Sequence, residues 1–163
     1  MTKSNGSGFG GGLLLALAVV GLDQLTKAMA VRLLHPGSRV PVIADFFDLT
    51  LIYNTGAAFS FLAGASGWQR WFFVALGISA ALFLVFMLAR YAGQRLFALG
   101  VGLILGGAVG NVIDRIHIGK VVDFVLLYHD RFYWPAFNVA DSAITLGVTL
   151  LIIDEIKRVR RSR

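Results

Sequence analysis

Residues 71–89 read WFFVALGISAALFLVFMLA, an uncharged run from Trp71 to Ala89 that decides the class of fold. It is close to the ~20 residues needed to cross a ~30 Å hydrocarbon core. Working outward, comparable runs occupy about Leu13–Leu34, Leu96–Ile113 and Val139–Ile156. The whole chain agrees with them. Of 163 residues, 57% are hydrophobic and 15% charged, and the mean hydropathy is +0.75. So small a globule cannot hide this much apolar side chain, which excludes an ordinary soluble enzyme. The low charge excludes disorder. The expectation is an α-helical membrane protein of four spans forming one domain over 1–163. The first run is not a removable signal peptide, because it is too long and contains Asp23, Gln24 and Lys27. The Gly- and Ser-rich stretch before it, Met1–Gly12, reads as floppy.

Between the first two runs, Pro36, Gly37 and Pro41 interrupt any helix. Arg39–Asn54 is rich in Val, Ile, Phe and Thr, with partial alternation at Leu49, Leu51 and Tyr53, and reads as short strands. The stretch Ile116–Phe137 is partly extended and aromatic, as suits a membrane–water boundary. Fifteen Lys+Arg against nine Asp+Glu leave a net charge of +6. These cations flank apolar runs, so topology rather than nucleic acid accounts for them. Lys3, Arg90, Arg95 and the tail from Lys157 to Arg163 sit in short segments at span ends, which places both termini in the cytoplasm. The segments of about 35–70 and 114–138 then lie outside. There is no cysteine, hence no thiol catalysis, disulfide or thiolate metal site.

Four antiparallel spans bring the later part of span one, the start of span two, the end of span three and the start of span four to one surface. Asp23 and Lys27, Gln69 and Arg70, Asn111, Asp114 and Arg115, and Asn138 and Asp141 all fall there. An acid within a span is costly and marks a functional site by default. Each group also has a plainer reading. Asp23 and Lys27, at i and i+4, suit a helical ion pair. Asn138 and Asp141 suit an N-cap with an acid in the first turn. Asp114 and Arg115 suit an interfacial pair. Asp123, within Val121-Val122-Asp123-Phe124, is harder to dismiss, having no obvious local partner. Gly102, Gly106 and Gly110 form a small-residue stripe for close helix packing. His35, His117 and His129 lie outside the runs and lack metal-site spacing. Gly64-Ala65-Ser66-Gly67 matches the G-x-S-G of rhomboid-type serine proteases, but no histidine base lies within a run.

Five stretches together resemble the bacterial lipoprotein signal peptidases, the signal peptidase II family. They are Asp23-Gln24-Leu25-Thr26-Lys27, Tyr53 to Ser60, Gly110 to Arg115, Val121-Val122-Asp123-Phe124 and Phe137 to Ser142. Each is modest alone; five in order among four spans are specific. The match covers roughly residues 13–157 without departure at a motif position. The resemblance implies four helices with a small extracytoplasmic sheet in the bacterial inner membrane, and an active site near the outer leaflet. It implies an aspartic endopeptidase that cuts diacylglyceryl-modified prolipoproteins before the lipidated cysteine, without cofactor or metal. The catalytic acids would be Asp123 and Asp141. Asp23, Lys27, Asn54, Gly56, Asn111, Asp114, Arg115, Asn138 and Ala140 would support or line the site. The partners would be prolipoprotein and the phospholipid bilayer, not nucleic acid, with the chain a monomer.

The residue inventory agrees independently. Without Cys or a placed Ser–His pair, peptide hydrolysis needs a metal or paired carboxylates, and two close carboxylates share one proton. Asn54, Asn111, Arg115 and Asn138 are candidate orienting donors. Three other readings remain open at this point: a proton-coupled transporter or carrier subunit, a rhomboid-like protease using Ser66, and a structural protein using the glycine stripe.

Overall fold

The computed structural model describes residues 5–56 and 66–161. In chain order the elements are α1 (Asn5–Leu33), β1 (Arg39–Ile43), β2 (Phe47–Asn54), α2 (Gln69–Tyr91), α3 (Arg95–Ile118), β3 (Val121–His129), β4 (Phe132–Tyr133) and α4 (Val139–Arg161). Among the described residues, three helices are long and apolar enough to cross a membrane: Gly8–Leu33, Gln69–Tyr91 and Arg95–Ile118. Their outward faces are those of lipid-facing helices, with Leu17 and Leu82 more than two-thirds exposed. The fourth helix is not among these three. It carries Asp141 at one end and Asp154, Glu155 and a basic tail at the other, which shortens its uncharged stretch.

Several boundaries differ from the sequence expectation. Helix α1 begins at Asn5, so most of Met1–Gly12 is helical rather than floppy. Gly12 packs against α3, whose Gly102 comes within van der Waals reach of its backbone. Helix α3 runs to Ile118, past Ile113, so Asp114, Arg115 and His117 lie on the helix and not in a loop. The strands fall where they were expected, within 39–54 and 116–137. Pro41 sits in β1, an edge strand, where a missing N–H is tolerated.

Helix α3 is the central element, and its glycines explain how. A Cβ on Gly102 would lie 2.7 Å from the Gly12 carbonyl oxygen, and one on Gly106 would lie 2.7 Å from that of Ala16. On another face, a Cβ on Gly107 would lie 2.3 Å from the Ala140 oxygen. α1 and α4 therefore approach α3 backbone to backbone, the arrangement small residues permit when helices pack in lipid. Gly107→Ala should lower stability by about 1–3 kcal/mol, the range for overpacking. Gly21, with open space around it, is the control: Gly21→Ala should leave thermal melting in detergent unchanged or slightly raised. Equal melting of the two variants would refute this packing.

At its C-terminus α3 is closed by Gly119 in the left-handed region (φ 77°), whose N–H donates to the Arg115 carbonyl. The chain then turns straight into β3. The sheet is antiparallel in the order β1-β2-β3-β4, with Ile52 opposite Asp123 and Asn54 opposite Val121. Beyond β4, Phe137 pairs with Val125 and delivers the chain to Asn138 and α4.

Candidate active site

Asp123 is the third residue of β3 and only 2% exposed. Its Oδ1 accepts a hydrogen bond from Asn138 Nδ2 at 2.7 Å and its Oδ2 one from Asn54 Nδ2 at 3.3 Å. Burial, and next the charge of Asp141, push its carboxyl up to about 7 against the pull of those two bonds. Asp141 stands in the first turn of α4 and accepts from Asn111 Nδ2 at 2.8 Å. Asn138 couples the two acids. Its Oδ1 receives the Asp141 N–H at 2.9 Å, capping α4, while its NH₂ donates to Asp123. One side chain thus fixes a strand acid relative to a helix acid. Each of the three asparagines also has its oxygen engaged: Asn54 by the Gly56 N–H, Asn111 by Lys27, and Asn138 by the helix cap. That leaves each NH₂ to face a carboxylate.

Behind the acids lies a buried network. Lys27 Nζ reaches Asp23 Oδ2 at 2.8 Å, Asp114 Oδ2 at 2.9 Å and Asn111 Oδ1 at 3.0 Å. Three acceptors meet three ammonium protons, which is what a buried cation requires. Asp23 Oδ1 accepts the Ala140 N–H at 2.9 Å, tying α1 to the first turn of α4. Gly110 is required here for a reason beyond helix packing: its Cβ would lie 2.6 Å from Asp23 Oδ2. Asp114 Oδ2 also receives the Val122 N–H at 3.1 Å, fixing the start of β3. The i, i+4 pair is present, but it is one edge of a larger set.

Two expectations change. Asp114 pairs with Lys27 rather than with its neighbour Arg115. Arg115 points no hydrogen bond at either acid; it donates to the Gly56 and Asn111 carbonyls at 2.6 and 3.3 Å and lies over the Phe73 ring. Gln69 and Arg70 stay outside the acid network. Gln69 accepts from the Gly67 N–H, and Arg70 donates to the Ile116 carbonyl, holding the start of α2 to the end of α3. One participant was missed: Gln24, which bonds Asp114 Oδ1 at 2.9 Å and the Gly110 carbonyl at 3.3 Å. Its signal was a second polar residue beside Asp23 within an apolar run. Ala57 to Ser60 of the second motif, and Gly64 and Ala65 of the rhomboid-like one, lie outside the described residues. Ser66 is exposed. His117, expected outside the spans, lies in the last turn of α3 and is exposed.

Both acids open into one cleft of about 1060 Å³ between the sheet and α2, α3 and α4. Ile52, Leu127 and Trp134 wall it on the sheet side, and Phe73, Val112 and Ile144 on the helix side. The cleft continues past Leu76 and Leu146, both more than half exposed on the apolar surface.

Apolar helices that carry a small sheet over a cleft holding two carboxylates define a membrane-embedded protein with an acid-pair site. A family model described as signal peptidase (SPase) II matches residues 15–157. The lipoprotein signal peptidase of Cupriavidus necator is 60% identical over 146 residues, 90% of this chain and 83% of that one. That of Burkholderia mallei is 52% identical over 163 residues, all of this chain and 98% of the other. A solved bacterial membrane enzyme superposes with a TM-score of 0.84 at 34% identity, covering 94% of this chain and 92% of that one. A second superposes at 0.79 with 35% identity, covering 91% and 94%. The chain belongs to the signal peptidase II family and is a peptidase.

Proposed function

We propose that this protein is an aspartic endopeptidase that removes the signal peptide from diacylglyceryl-modified prolipoproteins, cutting before the lipidated cysteine. The observation that carries the reading is the shared cleft, where Asp123 and Asp141 each receive an asparagine N–H and one asparagine couples both. Asp123 bears the shared proton and Asp141 is ionised. Asp141 takes a proton from water as its oxygen attacks the scissile carbonyl, while Asp123 donates to the carbonyl oxygen. Collapse of the tetrahedral intermediate breaks the C–N bond: the proton held by Asp141 passes to the leaving amine of the cysteine, and one hydroxyl proton of the intermediate returns to Asp123, which restores the starting state. Asn54, Asn111 and Asn138 hold the carboxylates in place. Asp23, Lys27, Asp114, Ala140 and Gly110 brace the three helices behind them, and Arg115 with Gly56 holds the end of β2.

In this reading 1–163 is a single domain with four spans, α4 being the fourth. Both termini are cytoplasmic, the cleft lies near the outer leaflet, and the chain acts as a monomer in the inner membrane. Support for the fourth span comes from its packing along α3, backbone to backbone at Gly107 and Gly147. The substrate fits such a site physically. Its acyl chains stay in the bilayer at about 0.8 kcal/mol per buried CH₂, and the cleft opens onto the apolar surface beside Leu76 and Leu146. The transporter reading finds no support, since Asp23, Asp114, Asp123 and Asp141 gather in one connected network at one end of the helices.

The test is to incubate the purified protein with a diacylglyceryl-modified prolipoprotein and follow release of the signal peptide. Release is expected with a chelator present, and the unlipidated precursor should be cut at least about 100-fold less efficiently, because it lacks the anchor that registers the bond. Comparable kcat/KM for the two precursors would refute lipid-dependent recognition. Ser66→Ala should be silent.

A further inference from the structure

On the face of the sheet turned away from the cleft, four side chains, one from each strand, form a cluster with no part in the acid site. Arg39 of β1 donates from Nε to Asp48 Oδ2 of β2 at 2.7 Å, with Nη2 at 2.6 Å from the same oxygen. Tyr128 of β3 donates to Asp48 Oδ1 at 3.0 Å. Tyr133 of β4 stacks on Tyr128, with ring centroids 5.5 Å apart and planes 14° from parallel. The Arg39 guanidinium lies 4.7 Å from the Tyr128 ring centre and 5.2 Å from that of Tyr133, and also donates to the Tyr133 hydroxyl at 3.4 Å. Asp48 is 3% exposed, so its charge is held by this cluster rather than by water.

The cluster bears on the cleft through the three residues after Tyr133. Trp134, the first residue after β4, walls the cleft together with Pro135 and Ala136. β4 is only two residues long and both are exposed. Its pairing with β3 consists of Tyr128–Tyr133 and His129–Phe132, around a turn with Asp130 at φ 53°, and continues in one backbone bond, from the Trp134 N–H to the Leu127 carbonyl at 2.9 Å. So short a pairing, ending in that single bond at Trp134, is marginal on its own and gains from side chains that hold β4 against β3. Phe137, by contrast, is pinned to β3 by three backbone hydrogen bonds of 2.9–3.1 Å shared with Phe124 and Val125. The chain is therefore anchored just before Asn138 whether or not β4 is held.

We propose that Arg39, Asp48, Tyr128 and Tyr133 form a clamp that positions the Trp134–Ala136 wall of the cleft, and so governs substrate binding while leaving the reacting groups untouched. These are positioning residues, and their link to turnover rests on the peptidase reading above. The anchor at Phe137 separates the two effects: loosening the clamp moves the wall but not Asn138 and Asp141.

The experiment measures steady-state cleavage of a lipidated substrate, alongside anisotropy of Trp134 in a Trp68→Phe/Trp71→Phe background. Tyr133→Ala should raise KM about tenfold while kcat changes less than about twofold, the signature of lost binding rather than lost chemistry. Trp134 anisotropy should fall. Tyr133→Phe, which keeps the stack and the guanidinium contact, should restore both. Arg39→Gln should fall between them, and it tests the clamp if Tyr133→Ala does not fold. Unchanged KM and anisotropy in Tyr133→Ala or Arg39→Gln, or a fall in kcat at constant KM, would overturn the clamp. An inactive parent protein that still shows the anisotropy difference would instead overturn the peptidase reading and leave the clamp standing.

Discussion

Asp123→Asn and Asp141→Asn should each reduce signal-peptide release by about 10³-fold, within the range lost with an essential acid or base, while the helices and sheet remain folded. Neither substitution changes side-chain volume, and Asn at 123 can still accept from Asn138 through its Oδ1. The two losses should not add. Once one acid is gone no proton can be shared, so the double variant should be no slower than the worse single. The pH dependence has a definite sign. The Asp123 carboxyl, pushed up to about 7, keeps its proton below that pH. As pH rises through 7 the proton is lost and kcat/KM should fall, approaching tenfold per pH unit. Stability follows the same group. A carboxyl whose folded pKa lies above its unfolded value of about 3.9 weakens the fold where it is ionised, fully above pH 7 and not at all below pH 4. Asp123→Asn should therefore melt higher than the parent at pH 8, and the gain should vanish toward pH 4. Near-normal turnover in either single variant, or a rate that rises through pH 7, would remove the dyad.

Three of the four expected spans were legible because lipid imposes a length and a composition on them, and the strands near 39–54 because β-branched residues sit between helix breakers. Asp123 could be singled out because an acid among Val and Phe has no local partner. What the chain did not disclose is set by contacts distant in sequence. That Asp114 faces Lys27 rather than Arg115 depends on the rotation of α3 against α1, which glycines at 102, 106 and 110 permit but do not specify. The start of α1 at Asn5 was hidden because Gly and Ser depress helix propensity; there Gly12 meets the backbone of α3 across an interface that sequence alone does not reveal. The clamp of Arg39, Asp48, Tyr128 and Tyr133 was invisible because its members meet only through strand register, including an irregularity between Leu49 and Ile52. Asn138 was readable as a helix cap, but its second bond, to Asp123, required the fold.

The other large effect separates bracing from chemistry. Lys27→Ala leaves Asp23, Asp114 and Asn111 facing an empty site. All three of its partners belong to a nearly waterless cluster in which Asp23 is fully buried and Asp114 is 6% exposed. Breaking one side of such a pairing costs about 3–5 kcal/mol. Asp23→Ala should cost less, because Lys27 keeps Asp114 and Asn111. It also frees the Ala140 N–H, however, so the first turn of α4 loses its tie to α1 and turnover should fall in part. In the double variant no lysine remains to miss its partner, so its destabilisation should be smaller than the sum of the two singles by about 1–3 kcal/mol. It should not return to the parent value, because Asp114 is still left without its cation, held only by Gln24 and the Val122 N–H. Adding Asp114→Asn to the double variant should therefore recover further stability, which an isolated i, i+4 pair would not predict. The measurement is melting in detergent and turnover read on the same samples across the cycle. Strict additivity would mean that the three charges do not interact. If Asp23→Ala abolished turnover at unchanged melting, Asp23 would take part in proton transfer, and the two-acid mechanism would give way to one built on three.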